Sequence, residues 1–477
     1  MADVAGPSRR CNPGEGSVST AGSGGRGQGE GSSAPRGLGR PEVWLACSAR
    51  NRSMSQAGLR IALLTYRGNP RSGGQGIYVR LLSRALVELG HAVDVYSGPP
   101  YPELLDGPRL LEVPSLDLWA DPSGRRAKPG LGALRDRADF AEWASAITGG
   151  FAEPITFCRR VSRRLKPNGA PVPYDIVHDN GSLGPGLLEL GAHVPVVATI
   201  HHPITRDRRI AYGSTRKPVA LYGYWRFYSA FLPSQIRVSR RLDRVLTVSE
   251  ASRADLVSEY GVPADRMRVV GTGINVEVFR PLAGVERVPD RIVATLSADA
   301  PLKGCRFLLE ALARGRRERP AAHLTVVGAP GAQADTLDRI RALGLEAALR
   351  FTGKIEDHEI AQLHAEASIA AVPSLYEGFG FPAGEAMASE VPVVSTTGGA
   401  LPEVVGSDGR CGILVEPGSA EALASGLLDL LGRPEARRRE MGAAGRQRVL
   451  ENFTWQRAAE RTVEVYREAI ARRALPC

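Results

Sequence analysis

A short apolar run that leads through a glycine turn into a helix is the most constraining feature of this sequence. Ile369–Val372 is typical of a buried strand that ends at Pro373, and a helix is predicted to begin near Pro382. Glu377 lies in the loop between them, and Glu385 is predicted in the first turn of the helix. Ligands of open α/β sheets bind at the carboxyl ends of the strands, where a helix N-terminus favours an anion. The segment therefore predicts a nucleotide-sugar site, and the alternative is a surface loop with a helix-capping glutamate.

Apolar strands that alternate with helices divide the chain into two α/β halves. The first half opens with a strand at 60–65, a helix at 77–89 and a strand at 92–96, which form the first unit of a parallel sheet. The second half opens with a strand at 291–296 and repeats the alternation. The predicted parts are a tail at 1–57, an N-terminal Rossmann-like domain at 58–272, a linker at 273–290, a C-terminal Rossmann-like domain at 291–453 and a final helix at 454–477.

Composition and charge restrict which binding partners and which cellular compartment are expected. The tail is rich in glycine, serine and arginine and is predicted to be disordered, which leaves open whether the natural start is Met1 or Met54. A net charge of +10 favours phosphate-bearing partners, but no groove-reading or RNA-stacking motif accompanies it, so nucleic acid is not predicted as a partner. The six cysteines include no Cys-x-x-Cys pair, and no signal-peptide pattern is present. These features predict a cytoplasmic protein.

The segment from 373 to 415 resembles the family-4 retaining glycosyltransferases, which have the GT-B fold. Glu377 and Glu385 are spaced as in the Glu-x7-Glu motif of that family, and the likeness continues through 391–394, 398–406 and 412–415. The resemblance extends over nearly all of the chain from residue 59 to residue 470. It implies two Rossmann-like domains that face a cleft, the first on the acceptor side and the second binding the nucleotide sugar, and a C-terminal helix that returns to the first domain. It also implies transfer of a hexose from a nucleoside diphosphate sugar to a hydroxyl acceptor, with retention of configuration.

The same resemblance assigns roles to the motif residues. Glu377 would contact the hydroxyls of the donor sugar, and Glu385 would contact the ribose of the nucleotide. The turn between them, which consists of Gly378, Phe379 and Gly380, would offer backbone N–H groups to the donor. Glu377 is thus one of two predicted catalytic residues, and His201, described below, is the other. Glu385 and the three turn residues belong to the predicted nucleotide-sugar site.

Lys303 is predicted to hold the diphosphate, because Lys303-Gly304 lies between a strand and a helix at the ligand edge of the sheet. The family has an arginine about five residues earlier, where this chain has Ala298. Arg306 or an arginine of the N-terminal domain would have to replace it. No Asp-x-Asp follows a strand, so neither a catalytic metal nor another cofactor is expected.

A histidine and two glycines extend the predicted site into the first half. Thr199-Ile-His201 resembles the Thr-x-His of the family, which implies that His201 lies beside the donor sugar; the alternatives are His202 and a histidine satisfied in a loop. In this family the departing phosphate is usually held to take the proton of the acceptor. His201 would then position the sugar and support developing charge, without acting as a general base. Gly73 and Gly74 would let the backbone approach phosphate or sugar.

Other features leave alternatives open. The arginines and aromatic residues at 206–244 fit a peripheral contact with an anionic membrane, or a helix that packs its aromatic side chains into the N-terminal domain. Asp179 and Asn180 follow another strand and either face the acceptor or cap a turn. Rival functions are a GT-B sugar-nucleotide epimerase, a phosphorylase and a catalytically silent sugar-nucleotide-binding module. The donor base and the acceptor hydroxyl stay unassigned.

Overall fold

A computed structural model of the chain describes residues 58–69, 74–118, 130–166, 170–213, 216–296, 300–330 and 334–474. The predicted N-terminal tail, Gly73 and Ala298 lie outside these residues. Two parallel sheets organise the described part of the chain, and helices cover them. None of the helices in those ranges is both long and apolar enough to cross a lipid bilayer.

The first half of the chain forms one parallel sheet. Its strands are β1 (Arg60–Thr65), β2 (Ala92–Ser97), β3 (Arg109–Glu112), β4 (Ile176–Asn180), β5 (Val196–Ile200), β6 (Arg244–Thr247) and β7 (Met267–Val269). They lie in the order β3-β2-β1-β4-β5-β6-β7, and each neighbouring pair is parallel. The strand order changes direction between β1 and β4. The carboxyl ends of these two strands therefore flank the crevice where ligands of such sheets bind.

Helices cover both faces of this sheet. They are α1 (Gly74–Glu88), α2 (Arg137–Ile147), α3 (Glu153–Leu165), α4 (Gly186–Gly191), α5 (Ile204–Gly213), α6 (Pro218–Ser239) and α7 (Glu250–Asp255). In α1 the apolar residues recur at helical spacing, so that Val79, Leu82 and Leu86 are buried on one face against the sheet. The opposite face of the sheet packs on residues of α3, α4 and α6, including Val161, Leu187 and Leu232.

The second half forms the other parallel sheet. Its strands are β8 (Arg291–Thr295), β9 (His323–Val327), β10 (Leu349–Phe351), β11 (Ile369–Val372), β12 (Val393–Thr396) and β13 (Gly412–Val415). They lie in the order β10-β9-β8-β11-β12-β13, with the change of direction between β8 and β11. Its helices are α8 (Cys305–Gly315), α9 (Ala334–Ala342), α10 (Asp357–Glu366), α11 (Phe381–Ala388), α12 (Leu401–Val405) and α13 (Ala420–Gly432). This arrangement places Lys303 and the Glu377 loop at one sheet edge.

Two long helices end the described chain, α14 (Glu435–Asn452) and α15 (Trp455–Ala474). α14 packs on α11 of the second half, whereas α15 packs on α1 of the first half. The chain crosses between the halves at Thr454, which forms an isolated parallel bridge with Ile274. The fold predicted from the sequence is confirmed, because both parallel sheets form and the C-terminal helix returns to the first half.

Individual elements differ from their predicted bounds. The helix predicted at 77–89 begins earlier, at Gly74. The region between Leu104 and Pro173 contains β3, α2 and α3. The basic, aromatic stretch at 206–244 forms α5 and α6, with Pro233 inside α6.

Candidate active site

The loop after β11 turns sharply before α11 begins. Gly380 precedes the helix with φ of +113°, a conformation that favours glycine, and a Cβ at this position would lie 2.8 Å from Leu401. Because Gly380 makes this turn, the helix begins immediately after it, at Phe381. Glu385 is then the fifth helical residue, so the prediction that it lies in the first turn is wrong. It lies in the second turn.

Glu377 is buried and is fixed by two hydrogen bonds. Its Oε1 accepts from Lys303 Nζ at 2.7 Å and from Ser374 Oγ at 2.7 Å. Its relative exposure is 8%, so the carboxylate is held between an ammonium and a hydroxyl in a largely desolvated place. Oε2 makes no hydrogen bond with any residue that the structure describes.

Lys303 reaches Glu377 because two loops of the second half pack closely together. Pro301–Lys303 form one turn of 3-10 helix before α8, and Leu375 N donates to Leu302 O at 2.7 Å. Gly304 has φ of +69°, and a Cβ there would lie 2.0 Å from the carbonyl oxygen of Pro373. Any side chain at 304 would push the loops apart, so this glycine is required for the ion pair.

Glu385 lies near this pair and is half-buried. Burial, and then the charge of Asp357, raise the pKa of its carboxyl group to about 8, while Lys303 opposes the shift. Arg306, offered as a replacement for the family arginine, is exposed and stacks on the ring of Phe307 at 4.3 Å. Lys303 is thus the cation that the described structure brings to both glutamates.

His201 follows β5 at the carboxyl edge of the first sheet. Its Nε2 lies 2.9 Å from Asn180 Oδ1, and Asn180 Nδ2 donates to Gln75 O at 3.3 Å. Since the amide oxygen faces the histidine, Nε2 carries the proton and Nδ1 is left as an acceptor. The ring of Tyr78 packs against His201 edge to face at 4.8 Å. Burial, and then the charge of His202, lower the pKa of His201 to about 4.

His202 points to a different partner, Asp207 Oδ2 at 2.8 Å. His201 instead lies opposite the glycine turn of the second half, because a Cβ at Gly378 would lie 3.0 Å from His201 O. Gly378 O accepts from Ser249 Oγ at 2.7 Å, and Ser252 Oγ donates to His201 O at 3.0 Å. The predicted residues of the two halves are therefore brought together across one cleft.

A second contact across the cleft was missed by the sequence reasoning. Tyr376, in the Glu377 loop, donates to Asp255 Oδ2 at 2.7 Å. The guanidinium of Arg206 lies 4.1 Å from the centre of the Tyr376 ring and also forms an ion pair with Asp255. A tyrosine immediately before the motif glutamate was the available signal, but its partners come from distant segments.

Behind His201, a buried hydrogen-bond network runs to the C-terminal helix. Tyr466 Oη lies 2.6 Å from His178 Nδ1, and His178 Nε2 lies 2.7 Å from Thr199 Oγ1. Thr199 Oγ1 is in turn 3.1 Å from the hydroxyl of Tyr78, the ring that packs on His201. Burial lowers the pKa of His178 to about 3, so this ring is neutral. The network makes α15 part of the support of the site.

Gly74 and Phe379, the remaining predicted residues, differ in what they contribute to the cleft. Gly74 opens α1, and a Cβ at this position would lie 3.9 Å from the ring of Phe381, which is an ordinary contact. Phe379 is buried and packs on Phe381 and other core residues, so only its backbone is offered to the cleft. Among the described residues, no group of three His, Cys, Asp or Glu side chains is arranged to hold a metal ion.

A cavity of about 390 Å³ lies beside His201 on the side of the first half. Its walls are mainly aromatic and aliphatic, with charged groups at Arg67 and Asp207 and polar groups at Gln75, His202 and Gln235. Asn180, whose role was left open, holds His201, and Asp179 Oδ2 accepts from Leu183 N at 2.9 Å as a turn cap.

Comparison with known proteins identifies the family. Residues 72–278 match the model described as Glycosyltransferase Family 4, and residues 284–448 match the model described as Glycosyl transferases group 1. The chain is 45% identical over 419 residues to an MMP alpha-(1->4)-mannosyltransferase of Mycolicibacterium hassiacum, covering 87% of this chain and 99% of that protein. The chain belongs to the family-4 glycosyltransferases. It is a glycosyltransferase, with the GT-B fold of that family.

Solved structures agree with this fold. Sucrose-phosphate synthase from Thermosynechococcus elongatus superposes with a TM-score of 0.64 at 24% identity, covering 87% of this chain and all of that one. Anabaena Alr3699/HepE in complex with UDP and glucose superposes with a TM-score of 0.60 at 17% identity, with the same coverage. At these identities the likeness shows the fold alone.

Proposed function

We propose that this family-4 glycosyltransferase moves a mannosyl residue from a nucleoside diphosphate mannose to a hydroxyl group of an oligosaccharide, with retention of configuration, to form an α-(1→4) linkage. The sugar and the linkage are those in the name of the relative from Mycolicibacterium hassiacum, which matches over almost its whole length. The diphosphate donor is supported by the chemistry of the cleft. One observation carries that part of the proposal, the ion pair between Lys303 and Glu377.

Lys303 and Glu377 suit different parts of a sugar diphosphate. The ammonium suits the diphosphate, and the carboxylate suits a hydroxyl of the sugar. The ammonium lies 2.7 Å from Glu377 Oε1 and is one-third exposed, so a diphosphate in the cleft can share its protons. Glu377 Oε2 has no partner among the described residues and is open to a sugar hydroxyl. The N-terminus of α11 adds a favourable dipole for the same anion.

The state of His201 favours retention. Its low pKa leaves the ring neutral at physiological pH, and its protonated Nε2 is directed at Asn180. Nδ1 can accept a hydrogen bond from a hydroxyl of the donor sugar, which positions the sugar. Glu377 is already paired with Lys303 and Ser374, so we assign the proton of the acceptor to the departing phosphate.

We propose that the reaction needs no metal ion, because Lys303 and the helix N-terminus supply positive charge where the diphosphate would lie. We also place the reaction in the cytoplasm. Cys158, Cys305 and Cys411 are buried free thiols, which suits a reducing compartment.

The test combines donor selection with product analysis. The protein is first heated with UDP-, GDP- and ADP-mannose in separate thermal-shift assays, because a bound donor raises the melting temperature by mass action. The stabilising donor is then incubated with α-(1→4)-mannooligosaccharides, and the new anomeric signal is assigned by NMR. We expect an α-(1→4) product from the wild-type protein and almost none from Glu377→Gln. A β product, or no transfer from any of the donors, would overturn the proposal.

A further inference from the structure

A second cavity, of about 630 Å³, lies on the first half between α5 and α6. We call it the α5–α6 groove; residues that line it include Arg208, Tyr212, Trp225, Tyr228 and Arg237. Tyr228 also lines the cavity of about 390 Å³ beside His201, so the two cavities share this side chain as a wall. Both volumes fall in the range of about 300–1,000 Å³ that small-molecule sites occupy. The groove therefore adjoins the cavity beside His201 at Tyr228, outside the residues proposed to hold the donor.

The walls of the groove combine aromatic rings with guanidinium groups. Trp225 is 54% exposed, and Tyr212 and Tyr228 are half-buried. Arg208 and Arg237 are exposed and form no ion pair with the described residues, unlike their neighbour Arg206. Arg241 is also exposed and without an ion pair in the same ranges. The groove thus has apolar faces together with hydrogen-bond donors whose side chains are not otherwise engaged.

We propose that the α5–α6 groove binds the part of the oligosaccharide acceptor that lies beyond the reacting sugar. The C–H faces of sugar rings pack on exposed aromatic rings, and guanidinium groups donate in a planar fork that suits pairs of neighbouring hydroxyls. The terminal sugar would lie beside His201, and the chain would pass Tyr228 into the groove. This inference rests on the proposed function, because it takes the acceptor to be an oligosaccharide.

The shape of the groove favours a chain-like ligand over a membrane surface. Trp225, Tyr228 and Arg237 line a concave site that adjoins the cavity beside His201. A bilayer is met by side chains that project, and such residues are present nearby: Val219 is 85% exposed and Tyr222 is 57% exposed, but neither lines the groove. Membrane contact is therefore a separate outcome that the experiment must distinguish.

The test compares acceptors of different length. α-(1→4)-Mannooligosaccharides of two and six residues are titrated against the full-length protein by calorimetry without donor, and are then used as acceptors with the mannosyl donor. We expect the hexasaccharide to bind and react about tenfold better than the disaccharide, since it alone reaches the aromatic rings of the groove.

Variants locate this length effect. Trp225→Ala and Arg237→Gln should reduce the advantage of the hexasaccharide to about threefold or less and leave the disaccharide unchanged. Phe140→Ala is the matched control for Trp225, because Phe140 lies on α2 and is 55% exposed against 54%. Arg350→Gln, an exposed arginine on β10, is the control for lost charge. Both controls should keep the wild-type ratio.

The outcomes separate this inference from the proposed function. Length-dependent binding that Trp225→Ala abolishes, without transfer from any mannosyl donor, would support the groove and contradict the proposed reaction. Equal binding and transfer of both oligosaccharides would overturn the groove while the reaction stands. No binding of either oligosaccharide would also overturn the groove. Sedimentation of the protein with phosphatidylglycerol vesicles that is lost in Arg237→Gln, with an unchanged length ratio, would assign the groove to a membrane instead.

Discussion

The two halves of the molecule build their sides of the cleft in different ways. In the second half, Lys303, Ser374 and Glu377 come from two adjacent loops that pack through Gly304. In the first half, His201 depends on Asn180 and on a network that ends at Tyr466. The hydrogen bond between His178 and Tyr466 joins residues 288 positions apart. The ion pair of the second half joins residues 74 positions apart within that half, whereas the support of the first half reaches to the C-terminal helix.

The two sheets also differ at their centres. β11 is wholly apolar and buried, so hydrophobic packing alone can place the loop that follows it. β4 is equally buried, but it ends in His178, Asp179 and Asn180. Buried polar groups of this kind need partners, and a lost partner costs about 1–3 kcal/mol. The orientation of His201 thus depends on hydrogen bonds that are costly to break.

Glu377→Gln should have the largest effect, because it removes the carboxylate on the donor side. We expect kcat to fall roughly 100-fold or more, with a smaller change in donor KM, since a sugar contact matters most as the anomeric bond breaks. Steady-state kinetics with varied donor measures this split. Glu421→Gln, an exposed glutamate of α13, should be unchanged. A kcat of Glu377→Gln within a few-fold of wild type would remove Glu377 from the reaction.

Tyr466→Phe should damage the first half in a different way. The substitution leaves His178 Nδ1 buried without its partner, which should lower the free energy of unfolding by about 1–3 kcal/mol. The looser support of Tyr78 and His201 should also lower kcat, with little change in donor KM. Urea unfolding and steady-state kinetics measure the two effects. Tyr96→Phe, whose hydroxyl meets Tyr174 away from the cleft, is the control for stability and should leave kcat unchanged. An unchanged kcat in Tyr466→Phe would separate the network from the site.

Glu385→Gln should show its effect through pH. The folded pKa of about 8 lies above the ordinary 4.5, so the folded protein binds the proton more tightly. This stabilisation is complete below pH 4.5 and is lost as the pH rises towards 8. The variant lacks the titration, so its stability relative to wild type should increase between pH 5 and pH 8, in urea unfolding at each pH. A constant difference would show that Glu385 is not held in its neutral form. At fixed pH, the variant should chiefly raise donor KM.

EDTA should have the smallest effect. We expect the initial rate to stay within about twofold of the untreated enzyme, because positive charge at the diphosphate is supplied by Lys303 and a helix N-terminus. The rate is measured after dialysis against the chelator. Complete loss of activity that Mg²⁺ or Mn²⁺ restores would show that the donor side includes a metal site.

The predictability of the site follows the same division. The position of Glu377 after the strand that ends before Pro373 could be predicted, because strand, turn and family motif lie in one stretch of sequence. The position of Lys303 at the same sheet edge could be predicted from the strand and the helix that flank it. The second-turn position of Glu385 could not, since it depends on how Gly380 turns the chain. The contribution of Tyr466 could not be predicted either, because only the return of the C-terminal helix brings it to its partner His178.

On the acceptor side, composition indicated the aromatic and basic character of residues 206–244 but not which of them share a surface. Trp225 and Tyr228 lie three positions apart on α6, yet Tyr228 reaches the cavity beside His201 and Trp225 lines only the α5–α6 groove. Such a distinction depends on the packing of α6 against α5 and the sheet. Periodicity alone does not contain it.

We propose that the second half holds the nucleotide and the first half holds the reacting sugars. This claim is tested most directly by calorimetric Kd values of the free nucleoside diphosphate for wild type, Lys303→Ala and His201→Ala, with Lys354→Ala as an exposed control. A charge-assisted contact to phosphate contributes about 1.5–3 kcal/mol, so Lys303→Ala should weaken binding about 10- to 150-fold. His201→Ala, which removes only a sugar contact, should stay within about twofold of wild type. Equal weakening by both variants, or none by Lys303→Ala, would contradict the claim.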